Sequence, residues 1–412
     1  MPLRTGHGSR RTVRDLRAAN RARVLRHLYF HGPLSRHELA GATGLSQASV
    51  SNVAGELLDD GVLAEAGLVE SDGGRPRVLL RVDPGHAAVA GVDVGETHVL
   101  VEVFDLTLTR LAMTTFPVEP GAQSVDTVVR RVTAGLTRCL ADSGVERDRV
   151  LGVGVGVPGL VEQGPEPLVH AQTTGWDGVP LHRLLAASTG LPLHVDNGAN
   201  TLGQAEMWFG AGRGARDAVI ALIGSGVGAS VVADGTPYRG ASGGAGEWGH
   251  TTIALDGRTC RCGARGCLEA YVGAAGVLDR YHEAVGARPV EVDQERALRD
   301  LVALADTDAR ARAVLEETAR CAGAGVANLI NTLNPERVII GGWAGLLLGE
   351  RLLPGIRAAA AEHALRRSFQ RASIDLCELG PESVALGAAT LPVAEFLAAG
   401  GVRAASATRS TG

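Results

Sequence analysis

The chain has 412 residues, 40 of them basic and 45 acidic, a formal net charge of −5, and 45% hydrophobic residues. That length suggests two or three domains at roughly 150 residues each, and the apolar share excludes a mostly disordered chain. No run approaches the roughly 18 to 20 apolar residues of a membrane helix, and no apolar stretch follows the N-terminal arginines as it would in a signal peptide, so a cytoplasmic protein with no membrane partner is expected.

Every basic side chain is an arginine, since the chain contains no lysine. This excludes a P-loop lysine, a Schiff-base lysine and a lysine-borne cofactor. Charge is unevenly placed: residues 1–52 hold 9 arginines against 2 acids. A basic head on an acidic body suggests a polyanion partner for the head. Residues 1–14 are expected to be a disordered basic tail, and residues 396–412 a flexible C-terminal one.

In chain order, Leu16 to Phe30 has apolar residues at helical spacing and stops at His31-Gly32-Pro33. Ser35-Arg36-His37-Glu38 is a capping box that opens a second helix. Thr43-Gly44-Leu45 is a turn, and Ser46 caps a third helix reaching about Asp60. Helix, glycine turn and helix at this spacing form a helix-turn-helix pattern. Its outward face starts with Gln47, Ala48, Ser51 and Asn52, small or amide side chains suited to base edges. Ser35, Arg36 and Ser46 stand beside them as further DNA contacts. Two strand-like runs, 62–65 and 78–82, flank Ser71 to Arg77, which reads as a wing placing Arg75 and Arg77 in a minor groove. Residues 15–82 are therefore an α-rich winged helix-turn-helix domain, with double-stranded DNA as its expected partner.

The body is an α/β pattern. Ala88 to Gly95 and Thr97 to Phe104 form a hairpin across a glycine turn, unlike a strand-to-helix dinucleotide crossover. Val150 to Pro158 is a strand punctuated by glycines, which suits close approach of a ligand or another strand. Ala218 to Ile223 runs into Gly224-Ser225-Gly226-Val227-Gly228, a turn whose amides can face phosphate. His250, Cys260, Cys262 and Cys267 make a Cys3His set, the donor chemistry of a structural zinc site within segment 250–267. Cys139, Cys321 and Cys377 stand in apolar surroundings as core cysteines. Trp176 and Trp248 are candidates for either the ligand cleft or the core.

Residues 86–395 resemble the ROK family of sugar kinases and sugar-responsive repressors. The matching motifs are Asp93-x-Gly95-x-Thr97, Gly156-Val157-Pro158-Gly159, Gly224 to Gly228, Gly246-Glu247-x-Gly249-His250, the cysteine cluster with Glu269, and Asn331 to Pro335 followed by Val338 to Gly342. The resemblance implies a two-lobed actin/hexokinase-like fold, lobe 1 over 86–205 and lobe 2 over 206–395, with the last helix returning to lobe 1. It implies sugar-hydroxyl contacts from Asn197, Glu247, His250 and Glu269, and structural zinc on His250, Cys260, Cys262 and Cys267.

The chain departs from the family's kinases at three places. They carry a catalytic Asp in a Glu-Asn-Asp-x-Asn segment, as general base toward the sugar hydroxyl. Here the segment reads Asp196-Asn197-Gly198-Ala199-Asn200, so Gly198 stands at that position. Asp196, two residues earlier on an extended segment, would lie about 6 to 7 Å away. Glu96 stands where the phosphate turn has a glycine, with His98 after Thr97, and Trp343 follows Gly341-Gly342 at the nucleotide wall. The expectation is a sugar-responsive DNA-binding regulator, a repressor of carbohydrate-metabolism genes acting as a homodimer or homotetramer, with no phosphoryl transfer. The alternatives are an active ATP-dependent sugar kinase with a regulatory head, and a scaffold whose head binds protein.

Overall fold

A computed structural model describes residues 13–71, 74–118, 124–287 and 293–403. The head contains α1 (Val13–His31), β1 (Leu34–Ser35), α2 (Arg36–Thr43), α3 (Gln47–Asp59), β2 (Leu63–Ser71) and β3 (Gly74–Val82). The capping box forms: the Ser35 backbone N–H donates to Glu38 Oε2 at 2.8 Å, and the Glu38 N–H donates back to Ser35 Oγ. Gly44 takes a positive φ of 67° to end α2, a conformation that costs glycine little. The wing departs from the expected loop. The strands continue to Ser71 and resume at Gly74, so Arg75 and Arg77 fall in β3, with Arg77 registered opposite Val69. A bulge between Glu65 and Leu68, where Gly67 has φ 112°, lets the ladder run further than the apolar pattern alone suggests. The wing tip, 72–73, and most of the expected N-terminal tail, 1–12, lie outside the described residues; α1 already starts at Val13.

The body's first part contains β4 (Ala88–Val94), β5 (His98–Asp105), β6 (Arg110–Pro117), α4 (Val125–Ser143), β7 (Val150–Val157), β8 (Leu160–Glu162), β9 (Leu168–Ala171), β10 (Trp176–Val179), α5 (Leu181–Thr189), β11 (Leu193–Asn197) and α6 (Gly198–Phe209). The second contains β12 (Ala218–Ile223), β13 (Val227–Ala233), β14 (Thr236–Tyr238), α7 (Glu269–Val272), α8 (Ala274–Val285), α9 (Gln294–Leu304), α10 (Ala309–Leu333), β15 (Arg337–Gly341), α11 (Trp343–His363), α12 (Arg366–Phe369), β16 (Ser373–Leu376) and α13 (Ser383–Ala398). Their five-stranded sheets run β11-β7-β4-β5-β6 and β14-β13-β12-β15-β16. In each, one central strand pairs antiparallel with the next strand in sequence and parallel with a later one. The same topology occurs twice, and the two hairpin turns, 95–97 and 224–226, meet at one cleft. The expected division at 205/206 falls inside α6, which runs unbroken through Gly203, where a Cβ would collide with Ser230 of β13, to Phe209.

The glycines of β7 have a different partner from the one expected. A Cβ at Gly154 would overlap the carbonyl of Ala388, and one at Gly91 in β4 that of Ala385. It is a helix, α13, rather than a ligand or a strand, that lies directly on this sheet. A Cβ at Gly387 would likewise overlap the carbonyl of Thr201, so α13 and α6 cross backbone to backbone. The C-terminal tail is also shorter than expected. Phe396 and Leu397 are buried in one apolar cluster with Leu25, Leu57 and Val62 of the head. Gly400 accepts a hydrogen bond from Arg21 Nε at 3.0 Å. Burial of two large apolar residues holds residues 396–403 in place. Among the described residues, no helix is long and apolar enough to cross a membrane.

Candidate functional site

A cleft of about 460 Å³ opens between the two sheets. Asn197, Glu247, His250 and Glu269 all line it, as do Glu96, His98, Gly198 and Trp343. The chain brings them together through the ends of β4, β7, β11 and β12 and through the loop 239–268.

The cysteine segment folds back on itself so that one donor atom from each of His250, Cys260, Cys262 and Cys267 lies within 4.8 Å of the others. Cys262 and Cys267 Sγ are 3.7 Å apart, and Cys260 Sγ is 3.8 Å from His250 Nδ1. A tetrahedral site with metal–sulfur bonds of about 2.3 Å has edges of about 3.8 Å, so the set fits a tetrahedral metal. Burial pushes the Cys260 thiol up to about 12; a dication at the centre reverses that preference, because the ligating form is the thiolate. With Nδ1 turned to the thiols, Nε2 of His250 faces the other way, 3.9 Å from Glu247 Oε2.

The carboxylates differ in how they are engaged. Burial raises the pKa of Glu247, against the opposing charge of His250 and with a smaller push from Glu269. Glu269 is 5% exposed and accepts the Val227 N–H at 3.0 Å. Its other oxygen lies 3.5 Å from Arg261 Nε. Asn197 caps α6 through Oδ1, accepting from the Ala199 and Asn200 N–H groups, and donates from Nδ2 to the Gly159 carbonyl at 2.6 Å. Its reach toward a ligand is therefore limited to its remaining Nδ2 hydrogen.

Asp196 is the clearest correction. The extended run ends at Asn197, and Gly198 is already the first helical residue of α6. Asp196 is buried and does not line the cleft; its carboxylate pairs with Arg239 at 2.6 Å and accepts from Asn200 Nδ2. A Cβ at Gly198 would meet only Val157 O and Val384 Cγ1, at 3.6 and 3.7 Å, which is ordinary contact. Trp248 and Trp176 are core residues; the Trp248 indole donates to the Gly325 carbonyl at 3.1 Å.

Arg261 was not among the expected site residues. It stands between two thiols and reaches across the cleft mouth to Glu96 at 2.5 and 3.3 Å. The signal was faint: a charged residue inside a C-x-C pair, opposite an unexpected Glu in a glycine turn. His98 lies beside Asp93, Nε2 to Oδ2 3.5 Å. Burial disfavours its charged form, but the hydrogen bond and charge of Asp93 outweigh this and its pKa is raised.

On the head, Gln47, Ala48, Ser51 and Asn52 share one exposed face of α3, and Arg77 is exposed on the wing. Arg36 is half-buried, and Ser46 caps α3 through the Ser49 N–H. Ser35 is not available for DNA, because it is 3% exposed and its hydroxyl is held by Glu38 at 2.7 Å. The head rests on the body through Phe30, which meets Trp208 edge-on at 4.9 Å between centroids. Arg213 also donates to the Phe30 carbonyl at 3.1 Å.

A family model described as ROK family matches residues 89–395, and one described as MarR family matches residues 7–74. A xylose repressor of Caldicellulosiruptor bescii is 29% identical over 390 residues, covering 93% of this chain and 97% of its own. A glucokinase of Halalkalibacterium halodurans is 33% identical over 307 residues, 72% of this chain and 92% of its own. A crystal structure of a ROK family transcriptional regulator, a homologue of the Escherichia coli MLC protein, superposes with TM-score 0.77 at 26% identity, covering 94% of this chain and 98% of that one.

Proposed function

The chain belongs to the ROK family, and from that premise we propose that it is a sugar-responsive DNA-binding regulator, a repressor of carbohydrate-metabolism genes, whose cleft senses a sugar and transfers no phosphoryl group. One helix carries the reading. α6 begins in the cleft at Gly198, where the resemblance calls for a catalytic carboxylate, and ends at Trp208 and Phe209 against the head. The element that lacks the general base also touches the DNA-binding domain. α13 runs beside it, from Val384 in the cleft to Phe396 and Leu397 in the head's apolar cluster. Its 16 residues span about 24 Å.

In this reading Glu247 and Glu269 accept from sugar hydroxyls, His250 presents Nε2, and Asn197 offers its remaining amide hydrogen. Structural zinc held by His250, Cys260, Cys262 and Cys267 would fix the orientation of the imidazole. Sugar bound between the sheets alters their closure, and the crossed pair α6 and α13 delivers the change to α1 and α3. Coupling requires that sugar bind the DNA-competent and DNA-free arrangements with unequal affinity. Gln47, Ala48, Ser51 and Asn52 read bases, while Arg36, Arg75 and Arg77 hold phosphates or the minor groove. A homodimer or homotetramer places two heads on half-sites about 34–36 Å apart, so a small reorientation costs affinity.

The second reading, an ATP-dependent sugar kinase with a regulatory head, is favoured by the likeness to the Halalkalibacterium glucokinase. A turnover assay with ATP, magnesium and a sugar panel separates the two. The expected result is no sugar phosphate, together with calorimetric heat from at least one sugar. Multiple turnovers by the wild-type chain would overturn the sensor reading.

A further inference from the structure

We propose that Arg261 is an anion seat at the cleft mouth already occupied by the chain's own Glu96, so that the cleft takes an uncharged sugar and shuts out phosphorylated sugars and nucleotides. The inference rests on the sensor reading and names its ligand class.

Glu96 sits on the β4–β5 turn of one lobe, and Arg261 on the cysteine loop of the other. Their two-point contact, 2.5 and 3.3 Å, closes over the glycine-rich turn between β12 and β13. Arg261 Nη2 also donates to the Ser225 carbonyl of that turn at 3.1 Å. Glu96 Oε1, Glu269 Oε2 and Arg261 Nη2 all lie within 3.4 Å of the point where a side chain would begin at Gly226. A phosphate approaching these backbone amides therefore meets two carboxylates and an engaged guanidinium.

The remaining charges point the same way. Asp93, Glu96, Glu247 and Glu269 line the cleft, and among its described lining residues there is no arginine; the chain has no lysine. His98 is held by Asp93, His170 by Asp177 at 3.0 Å, and His250 belongs to the donor cluster. The opposing features are the N-termini of α11 and α13, which lack side-chain caps and reach the cleft wall at Gly342, Trp343 and Val384. Each is worth about half a positive charge, and Glu382 stands at the start of α13. Four carboxylates against the one Arg261 guanidinium, already paired with Glu96 and Glu269, and those two half-charges still leave the cleft net negative and unfavourable for a dianion, whereas carboxylates are the natural acceptors for neutral hydroxyls.

The test is calorimetry on the full chain with glucose, xylose and N-acetylglucosamine, each against its phosphate monoester, and with inorganic pyrophosphate as a bare anion probe. Wild type is expected to bind a neutral sugar at least tenfold more tightly than its phosphate ester and to show no pyrophosphate binding. Glu96→Gly frees Arg261 and should raise pyrophosphate affinity at least tenfold, a gain that vanishes in Glu96→Gly/Arg261→Gln. Metal content and melting temperature establish that the variants are folded. Wild type preferring the phosphate ester, or Glu96→Gly gaining no anion affinity, overturns the proposal. A chain that binds neither form of any sugar contradicts the sensor reading itself, and the pyrophosphate arm then still decides whether Glu96 closes the seat.

Discussion

The two walls of the cleft are built from the same sheet topology used twice, yet they carry different chemistry. On the wall made by residues 246–269, Glu247, His250 and Glu269 are tied to a cluster of four donors that could hold a metal, within a few residues of chain. On the facing wall, the β4–β5 turn offers Glu96 and α6 offers Gly198. Glu247, His250 and Glu269, which can grip hydroxyls, are concentrated on one side, and on the other Gly198 stands at the first turn of α6 with no side chain of its own. In the proposed sensor, recognition and phosphoryl chemistry depend on different walls, so the first can be kept when the second is lost. The wall that carries Gly198 is also the one whose helices run to the head.

The largest expected effect comes from breaking the gripping wall at its metal cluster. Structural zinc contributes about 10–16 kcal/mol in small domains, and Cys267→Ser removes one of four ligands. Bound metal, measured by atomic emission, should fall from one per chain to a small fraction, and the sugar response should go with it. A full sugar response without metal would show that the cluster does not organise this wall. Next is the packing beneath the facing wall. Gly154→Val would drive a side chain into the Ala388 carbonyl, with a urea-unfolding loss of about 3 kcal/mol. Gly164→Ala, where nothing lies within 4 Å, should change stability little.

Glu247→Gln sharpens the contrast without disturbing either fold. A charge-assisted hydrogen bond contributes about 1.5–3 kcal/mol, so calorimetry should record at least tenfold weaker sugar binding, with DNA affinity in the absence of sugar preserved. Trp208→Ala should leave sugar binding in place but shrink the sugar-induced change in DNA affinity by about 1 kcal/mol, the scale of an edge-on aromatic pair. The smallest effect is at His98. Its folded pKa is raised above 6.5, so its pairing with Asp93 stabilises the fold fully below about pH 6.5 and ceases to do so as pH rises through the folded value. His98→Asn should therefore lower the melting temperature more at pH 6 than at pH 8, by the equivalent of a few tenths to about 1 kcal/mol.

Much of this was legible in the residues. The capping box at Ser35 and Glu38 and the Gly44 stop mark helix ends by local chemistry, and the Cys3His spacing closes a site within one short loop. What could not be read depends on distant partners. The glycines of β4 and β7 announce close approach, but only the fold reveals that α13 is what approaches. Phe396 and Leu397 look like the end of a tail until they meet Leu25 and Leu57, which lie far away in sequence. The extended run at Asp196 looked as if it carried on through Gly198, because a strand-to-helix change at Asn197 is not visible in apolar period. Arg261 gave no periodic signal, since its role arises only when two lobes bring it to Glu96.

The most direct test of the account is fluorescence anisotropy of the full chain on DNA from upstream of its own gene, at stated salt, with and without each sugar of a panel. The account predicts sequence-specific binding that one uncharged sugar changes at least tenfold. Salt-sensitive binding that ignores both sequence and sugar would contradict it.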